Sequence, residues 1–435
     1  MYSRISFDWT DFQDLPIVLT GHHGYALIRP SFAYKYKNRA RIMTRLVFVI
    51  FCFFSAFPGF AEADLKWTFK TGDRVYSSPL VEGQTVYFGS GDSNFYALDR
   101  QTGEQKWKFE TGGAVHSSAA IQGGLVYFAS ADGKLYAVGK ESGELAWAFA
   151  SGGEKMYGLW DYYLSSPVVD GGRVYWGSGD GHLYAVDAAS GELDWKYDTG
   201  DVVHASPVVY QDKVYFGGFD GHMYALARDN GSLVWKFKTV GASYFPKGEI
   251  QMAALVQDDV VYFGSRDYNL YALDANTGRG KWNLRQERGW IIATPLIHGD
   301  NIYFGTSDAH IFYSMDKNSG AVNWTIPLNM RVYGTAVEHK DTIYFGTFDG
   351  KVLGIDHLTG ETSWQFQTDS SKENYEKIFA DNGEFREGFV LYGEDYLEAE
   401  KLIHELGSIL STPAIDKGVI YFGSSDGNLY AVGLP

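Results

Sequence analysis

One pattern of residues is written eight times along this 435-residue chain. Tyr followed by Phe or Trp recurs at Tyr87, Tyr127, Tyr175, Tyr215, Tyr262, Tyr303, Tyr344 and Tyr421. A turn aspartate follows each, at Asp92, Asp132, Asp180, Asp220, Asp267, Asp308, Asp349 and Asp426. Tryptophans fall at Trp67, Trp107, Trp147, Trp195, Trp235, Trp282, Trp324 and Trp364, mostly 40 to 42 residues apart, with two gaps of 47 and 48. A repeat of this length is one supersecondary unit, and its neighbours must stack to bury a common core.

The copy at 203–238 shows what the unit is. Residues 203–209 are apolar and β-branched, Gln211-Asp212-Lys213 turns the chain, and 214–218 returns. Asp220-Gly221 makes a tight hairpin, 222–226 is a third strand, Asn230-Gly231 turns again, and 233–237 is a fourth. Four short strands per period of about 40–45 residues predict an all-β, eight-bladed β-propeller of antiparallel blades. The tryptophans are expected between blades, where face-to-face sheets need a large flat filler. The last unit has no tryptophan strand, whereas 65–70 precedes any Tyr-Phe strand. This N-terminal strand is therefore expected to complete the last blade and close the ring without a free edge.

Tyr184-Ala185-Val186-Asp187, Ser190-Gly191 and Trp195, with their equivalents in most units, resemble the pyrroloquinoline-quinone (PQQ) repeat family of eight-bladed propellers over 64–435. A chain of this size without a further domain looks most like the propeller subunits of the outer-membrane β-barrel assembly machine. That resemblance implies a non-catalytic scaffold with a protein partner in the cell envelope. Two units depart from the pattern. The sixth carries an extra residue in Ile311-Phe312-Tyr313-Ser314-Met315-Asp316, and the seventh has Leu353-Gly354 in place of Tyr-Ala.

The front of the chain reads as an address. Met43-Thr44-Arg45 opens a basic segment, 46–57 is almost continuously apolar, and Ala61-Glu62-Ala63 is a small-x-small cleavage site. Residues 43–63 are read as a signal peptide, cleaved near Ala63 to leave a periplasmic or secreted protein, and 1–42 as an extension upstream of the true start. The apolar run is too short for a membrane span. Cys52, the single cysteine, lies inside that run and lacks the small residues a lipid-anchoring site needs. Residues 1–63 hold seven Lys/Arg and four Asp/Glu, which leaves 30 basic against 49 acidic side chains in the remainder, a net charge near −19. Such a surface repels phosphate backbones, so nucleic acid is not an expected partner. A monomeric propeller is expected.

Function is sought where the units differ. The links from each tryptophan strand to the next unit share one face with the aspartate turns. There 152–164 adds Tyr157, Trp160, Tyr162 and Tyr163, and 240–252 adds Tyr244 and Phe245. Residues 285–290 bring Arg288 and Trp290, and Met330-Arg331-Val332-Tyr333 bring a further arginine and tyrosine. Aromatics with arginine have the composition of a protein-binding hot spot; the alternative is that they plug the funnel. The longest departure, 369–410, separates the seventh and eighth units. Its residues 394–406 place Leu397, Leu402, Ile403 and Leu406 near one side of a helix that could lie across the mouth. Asp381-Asn382-Gly383-Glu384 lacks the ligand spacing of a calcium loop and is read as a turn leading into that helix.

The inventory for catalysis is thin. Positions at the channel mouth read Tyr76, His116, Leu164, His204, Met252, Ile292, Tyr333 and Leu410, with no carboxylate to cage a hard cation. Asp161 and Glu249 lie in nearby loops. No cysteine pair, metal-ligand set or catalytic triad is spaced for chemistry, so neither a catalytic residue nor a cofactor is assigned. PQQ with calcium is the cofactor pair that the resemblance brings to mind without support from these residues. The rival reading is a PQQ-dependent dehydrogenase-like or sugar-binding propeller with its ligand in the mouth.

Overall fold

The computed structural model describes residues 63–157 and 160–435. The expected extension at 1–42 and, except for Ala63, the signal segment lie outside the described residues. Each repeat forms one four-stranded antiparallel blade, giving eight blades. Blades one to seven occupy 80–110, 120–150, 168–198, 208–238, 255–285, 296–327 and 337–367. Blade eight joins 414–433 to the N-terminal strand Asp64–Lys70. The ring closes as the sequence predicts. Asp64 pairs with Gly433 and Lys70 with Asn428, with a bulge between Leu65 and Trp67.

In blade four the strands are Val208–Tyr210, Lys213–Gly217, His222–Ala227 and Leu233–Lys238. The innermost strand is thus three residues long, not the seven read at 203–209. The reason lies in where the preceding hydrogen-bonding groups go. Val203 N–H donates to Ser178 O of blade three, and Ser206 Oγ accepts Ser166 N–H of that blade at 2.8 Å. The same relay runs on around the channel. Thr335 N–H reaches Thr412 Oγ1, Thr412 N–H reaches Ser78 Oγ, Ser78 N–H reaches Ser118 Oγ, and Ser118 N–H reaches Ser166 Oγ, all at 2.8–3.1 Å. These stretches join blades to one another instead of lengthening a ladder, so their polar groups stay satisfied.

The tryptophans sit between blades. Trp147 Nε1 donates to Ala188 O of the next blade at 3.1 Å. Gly191 lies against the indole face, where a Cβ would come within 2.6 Å of the ring, and its φ is +74°. Only glycine meets both demands. The turn aspartates are fixed by tyrosines four residues on. Tyr96, Tyr136, Tyr184, Tyr224, Tyr271 and Tyr430 donate to Asp92, Asp132, Asp180, Asp220, Asp267 and Asp426 at 2.5–2.7 Å.

Candidate functional site

The tryptophan-strand links and the aspartate turns do share a face, because Gly72, Gly112 and Gly152 donate backbone N–H bonds to Asp92, Asp132 and Asp180. Blades six and seven break the tyrosine–aspartate rule in the two places where the sequence departs from the repeat. The extra residue in blade six carries Tyr313 away from Asp308, and Leu353 replaces the tyrosine of blade seven. Both freed carboxylates are taken up by other groups. Asp308 accepts from Tyr392 OH of the 369–410 insertion and from Arg331 Nε at 3.2 Å. Asp349 pairs with Lys351 at 2.8 Å, and Lys351 also donates to Tyr375 OH of the insertion at 3.1 Å.

The insertion holds two α-helices, α1 (Asp369–Asn374) and α2 (Tyr396–Glu405), with a short 3-10 turn at Tyr375–Lys377 after the first. Thr368 caps α1, its Oγ1 accepting Ser371 N–H at 3.1 Å. Asp381–Glu384 does not lead directly into α2, as expected from sequence, but closes a small hairpin in which Phe379 bridges Phe385. Gly383 turns the chain there at φ +80°. The buried face of α2 also differs from the one read by hydrophobicity. Ala399, Glu400, Ile403 and His404 point inward, while Leu397 is 59% exposed. Two polar side chains take inward positions because each finds partners in the mouth.

Glu400 is the centre of those partners. It forms an ion pair with Arg331 Nη1 at 2.8 Å and accepts from Trp160 Nε1 at 2.9 Å and Tyr162 OH at 3.4 Å. Arg331, fully buried, donates further to Tyr392 OH at 2.7 Å. His404 lies between Tyr76 OH and Tyr162 OH, each 3.4 Å from a ring nitrogen. Burial pushes its pKa down to about 3, with Arg74 and Arg331 adding to the effect, so it is neutral. His116 packs edge-to-face on Tyr76, and burial lowers its pKa to about 4. Around this network Tyr163, Trp290, Ile292, Met330, Tyr333, Phe348, Ile403, Leu406 and Leu410 form one apolar cluster.

Two further buried charges lie in the same mouth. Arg266 has its guanidinium carbon 4.6 Å from the centroid of the Trp290 ring and 5.2 Å from that of Phe219, and Nη2 donates to Gln251 Oε1 at 3.1 Å. Trp160, held at φ +67°, lends its carbonyl to Gln251 Nε2 at 2.8 Å. His204 donates from Nδ1 to Asp161 at 2.9 Å and from Nε2 to Glu154 at 2.6 Å. Burial opposes its charge, but these two carboxylates outweigh it and raise its pKa to about 9. An imidazole that donates from both nitrogens to carboxylates is an imidazolium. Glu249 Oε2 is buried with no hydrogen-bond partner among the described residues.

The structure therefore brings most of the sequence-selected residues together but at different depths. Tyr163, Trp290, Arg331 and Tyr333 are buried under the insertion, with Tyr76 and His204 at the channel. Tyr157, Trp160, Tyr162, Phe245, His116 and Met252 are half-buried, and Tyr244 and Arg288 are exposed. Glu154, Arg266, Glu400 and His404 went unrecognised in the sequence. Arg266 had a signal: the residue before each turn aspartate is Gly91, Ala131, Gly179, Phe219, Arg266, Ser307, Phe348 and Ser425, so a charge stands out in that column.

Ring, repeat and filled mouth together define an eight-bladed propeller of the PQQ-repeat class. Residues 60–156, 159–246 and 246–384 match the family model described as outer membrane protein assembly factor BamB, and the chain belongs to that family. No curated protein sequence matches it. Among solved structures it is similar to BamB from Moraxella catarrhalis, at 17% identity and TM-score 0.64 over 86% of this chain and 100% of that one. It is also similar to the quinohemoprotein alcohol dehydrogenase ADHIIG from Pseudomonas putida HK5, at 15% and 0.63 over 86% and 76%. A europium-containing methanol dehydrogenase matches at 14% and 0.64, over 86% and 93%. At these identities the structural likeness is one of fold alone, and fold does not carry function.

Proposed function

We propose that this chain is a non-catalytic, protein-binding scaffold of the cell envelope that takes part in the assembly of outer-membrane proteins. Family membership supports the setting. The observation that carries the scaffold reading is the closure of the propeller mouth by the chain's own insertion. Glu400 is committed to Arg331, Trp160 and Tyr162, Asp308 to Arg331 and Tyr392, and Glu154 and Asp161 to His204. A planar quinone with a hard cation would need that space and several of those oxygens. The commitment of these carboxylates to the chain's own side chains favours the scaffold reading over a quinone site.

Partner contact then falls to the rim, not the floor. Met156, Val240, Tyr244, Val390 and Leu397 are exposed apolar side chains in the links and insertion of the mouth face, and exposed Arg288 stands in the 285–290 link. The buried Trp290, Arg331 and Tyr333 hold the insertion from beneath. The signal segment expected from the sequence at 43–63 supports a periplasmic or secreted location. No helix among the described residues is long and apolar enough to cross a membrane.

Affinity capture from envelope extract with the purified protein tests the proposal. It predicts a defined protein partner lost on replacing Tyr244 and Leu397. Recovery of none, together with saturable binding of PQQ plus Ca²⁺ followed by tryptophan fluorescence, would establish the dehydrogenase-like alternative instead.

A further inference from the structure

On the face opposite the mouth, an ion pair in one repeated position ties neighbouring blades at three seams. Its cation follows the third strand of one blade, and its anion is the last residue of the innermost strand of the blade before. Arg100 meets Asp416 between blades eight and one, Lys140 meets Glu82 at 3.4 Å between one and two, and Arg228 meets Asp170 at 2.9 Å between three and four. At the seam between blades six and seven both positions are histidines. His357 stands where the cation belongs and His298 where the anion belongs, their ring centroids 5.0 Å apart. Two imidazoles supply no attraction of their own, and a carboxylate, Asp341, stands beside them 3.3 Å from His298 Nε2.

The orientation of these groups is that of metal ligands. His357 Nδ1 lies 2.9 Å from Asp341 O. A carbonyl only accepts, so Nδ1 carries the proton and the lone pair of Nε2 is free. A backbone carbonyl that fixes the tautomer in this way is a recurrent outer support of histidine ligands. His298 has no such bond, its Nδ1 lying 3.9 Å from Glu338 Oε2, and its Nε2 faces Asp341 at 3.3 Å. Glu338 Oε1 in turn accepts Asp341 N–H at 2.8 Å, and Lys340 and Asp341 hold the positive φ values of a tight hairpin that presents the carboxylate. One ligand atom from each of His298, Asp341 and His357 lies within 4.8 Å of the others. Tetrahedral zinc, with bonds of about 2.0–2.1 Å, brings its ligands about 3.3 Å apart, so small side-chain rotations close the set.

We propose that His298, Asp341 and His357 form a site for a divalent transition-metal ion of the zinc class, which bridges blades six and seven in place of the ion pair used at three other seams. Two imidazoles and one carboxylate select such an ion over magnesium or calcium, which take oxygen ligands. The remaining coordination position is open to water, because Asp341 is solvent-exposed.

Zinc chloride titrated into purified, untagged protein tests this by calorimetry, with thermal unfolding measured in parallel. The site predicts saturable binding of one equivalent, a midpoint that rises with zinc concentration, and no response to magnesium chloride. His298→Gln and His357→Gln should each weaken binding at least tenfold while leaving the zinc-free midpoint near that of the parent. Asp341→Asn, at an exposed turn, gives a third variant with the same expectation. Absence of one-equivalent binding in the parent, an equal response to magnesium, or parental zinc affinity in all three variants would overturn the assignment.

Discussion

Arg331 and Glu400, 69 positions apart in the chain, meet in a buried ion pair of 2.8 Å where the insertion crosses the propeller mouth. Removing one member of such a pair strands the other charge, at a cost of about 3–5 kcal/mol. Arg331→Ala takes the cation from two carboxylates, Glu400 and the partly exposed Asp308, whereas Glu400→Ala leaves Arg331 with Asp308. Urea unfolding should therefore show the larger loss for Arg331→Ala. Limited proteolysis should cut 369–410 in both variants before the blades. Parental stability with an uncut insertion would show that the apolar cluster alone seats α2.

Interblade tryptophans should differ in weight according to burial. Trp147 is buried between blades two and three, and Trp147→Ala should cost about 3–5 kcal/mol. Trp67 is only half-buried at the closing strand, so Trp67→Ala should cost less. Deleting 64–70 should exceed both, since it opens a sheet edge and removes the Trp67 bond to Arg100 O. Equal midpoints for the deletion and the parent would mean that the ring closes without this strand.

The histidines of the mouth should shape stability on opposite sides of neutrality. His204 has its pKa raised from 6.5 to about 9, so the folded state binds its proton more tightly than the unfolded chain does. Its contribution is complete below pH 6.5 and is lost as the pH climbs to about 9. His404 has its pKa lowered to about 3, so its contribution is complete above pH 6.5 and fades as the pH falls from there. Denaturation across pH should show His204→Gln flattening the alkaline limb and His404→Gln the acid limb. Parallel curves for parent and variants would contradict these charge states.

The propeller was legible because every repeated residue answers a need met at a fixed offset. Tyr184 reaches Asp180 four residues back, and Gly191 meets the tryptophan of the preceding unit. Offsets of that kind survive in a linear reading. Glu400, His404, Glu154 and Arg266 come from segments or columns without a repeating partner, and they meet only once the ring has closed. The inward face of α2 is hidden from a linear reading for the same reason: hydrophobicity favours Leu397, while Arg331 and Tyr76 make room for a glutamate and a histidine. The irregular sixth and seventh units were noticed in the sequence, but that they free Asp308 and Asp349 required the fold.

The scaffold account rests on the rim of the mouth, and site-specific photo-crosslinking in intact envelopes tests it most directly. A photoreactive residue at Leu397 or Tyr244, each 59% exposed on the mouth face, should yield a discrete adduct with one protein partner. The same residue at Leu358, 67% exposed in a turn on the opposite face, should yield none. An adduct at Leu358 with silence at both rim positions would contradict the account.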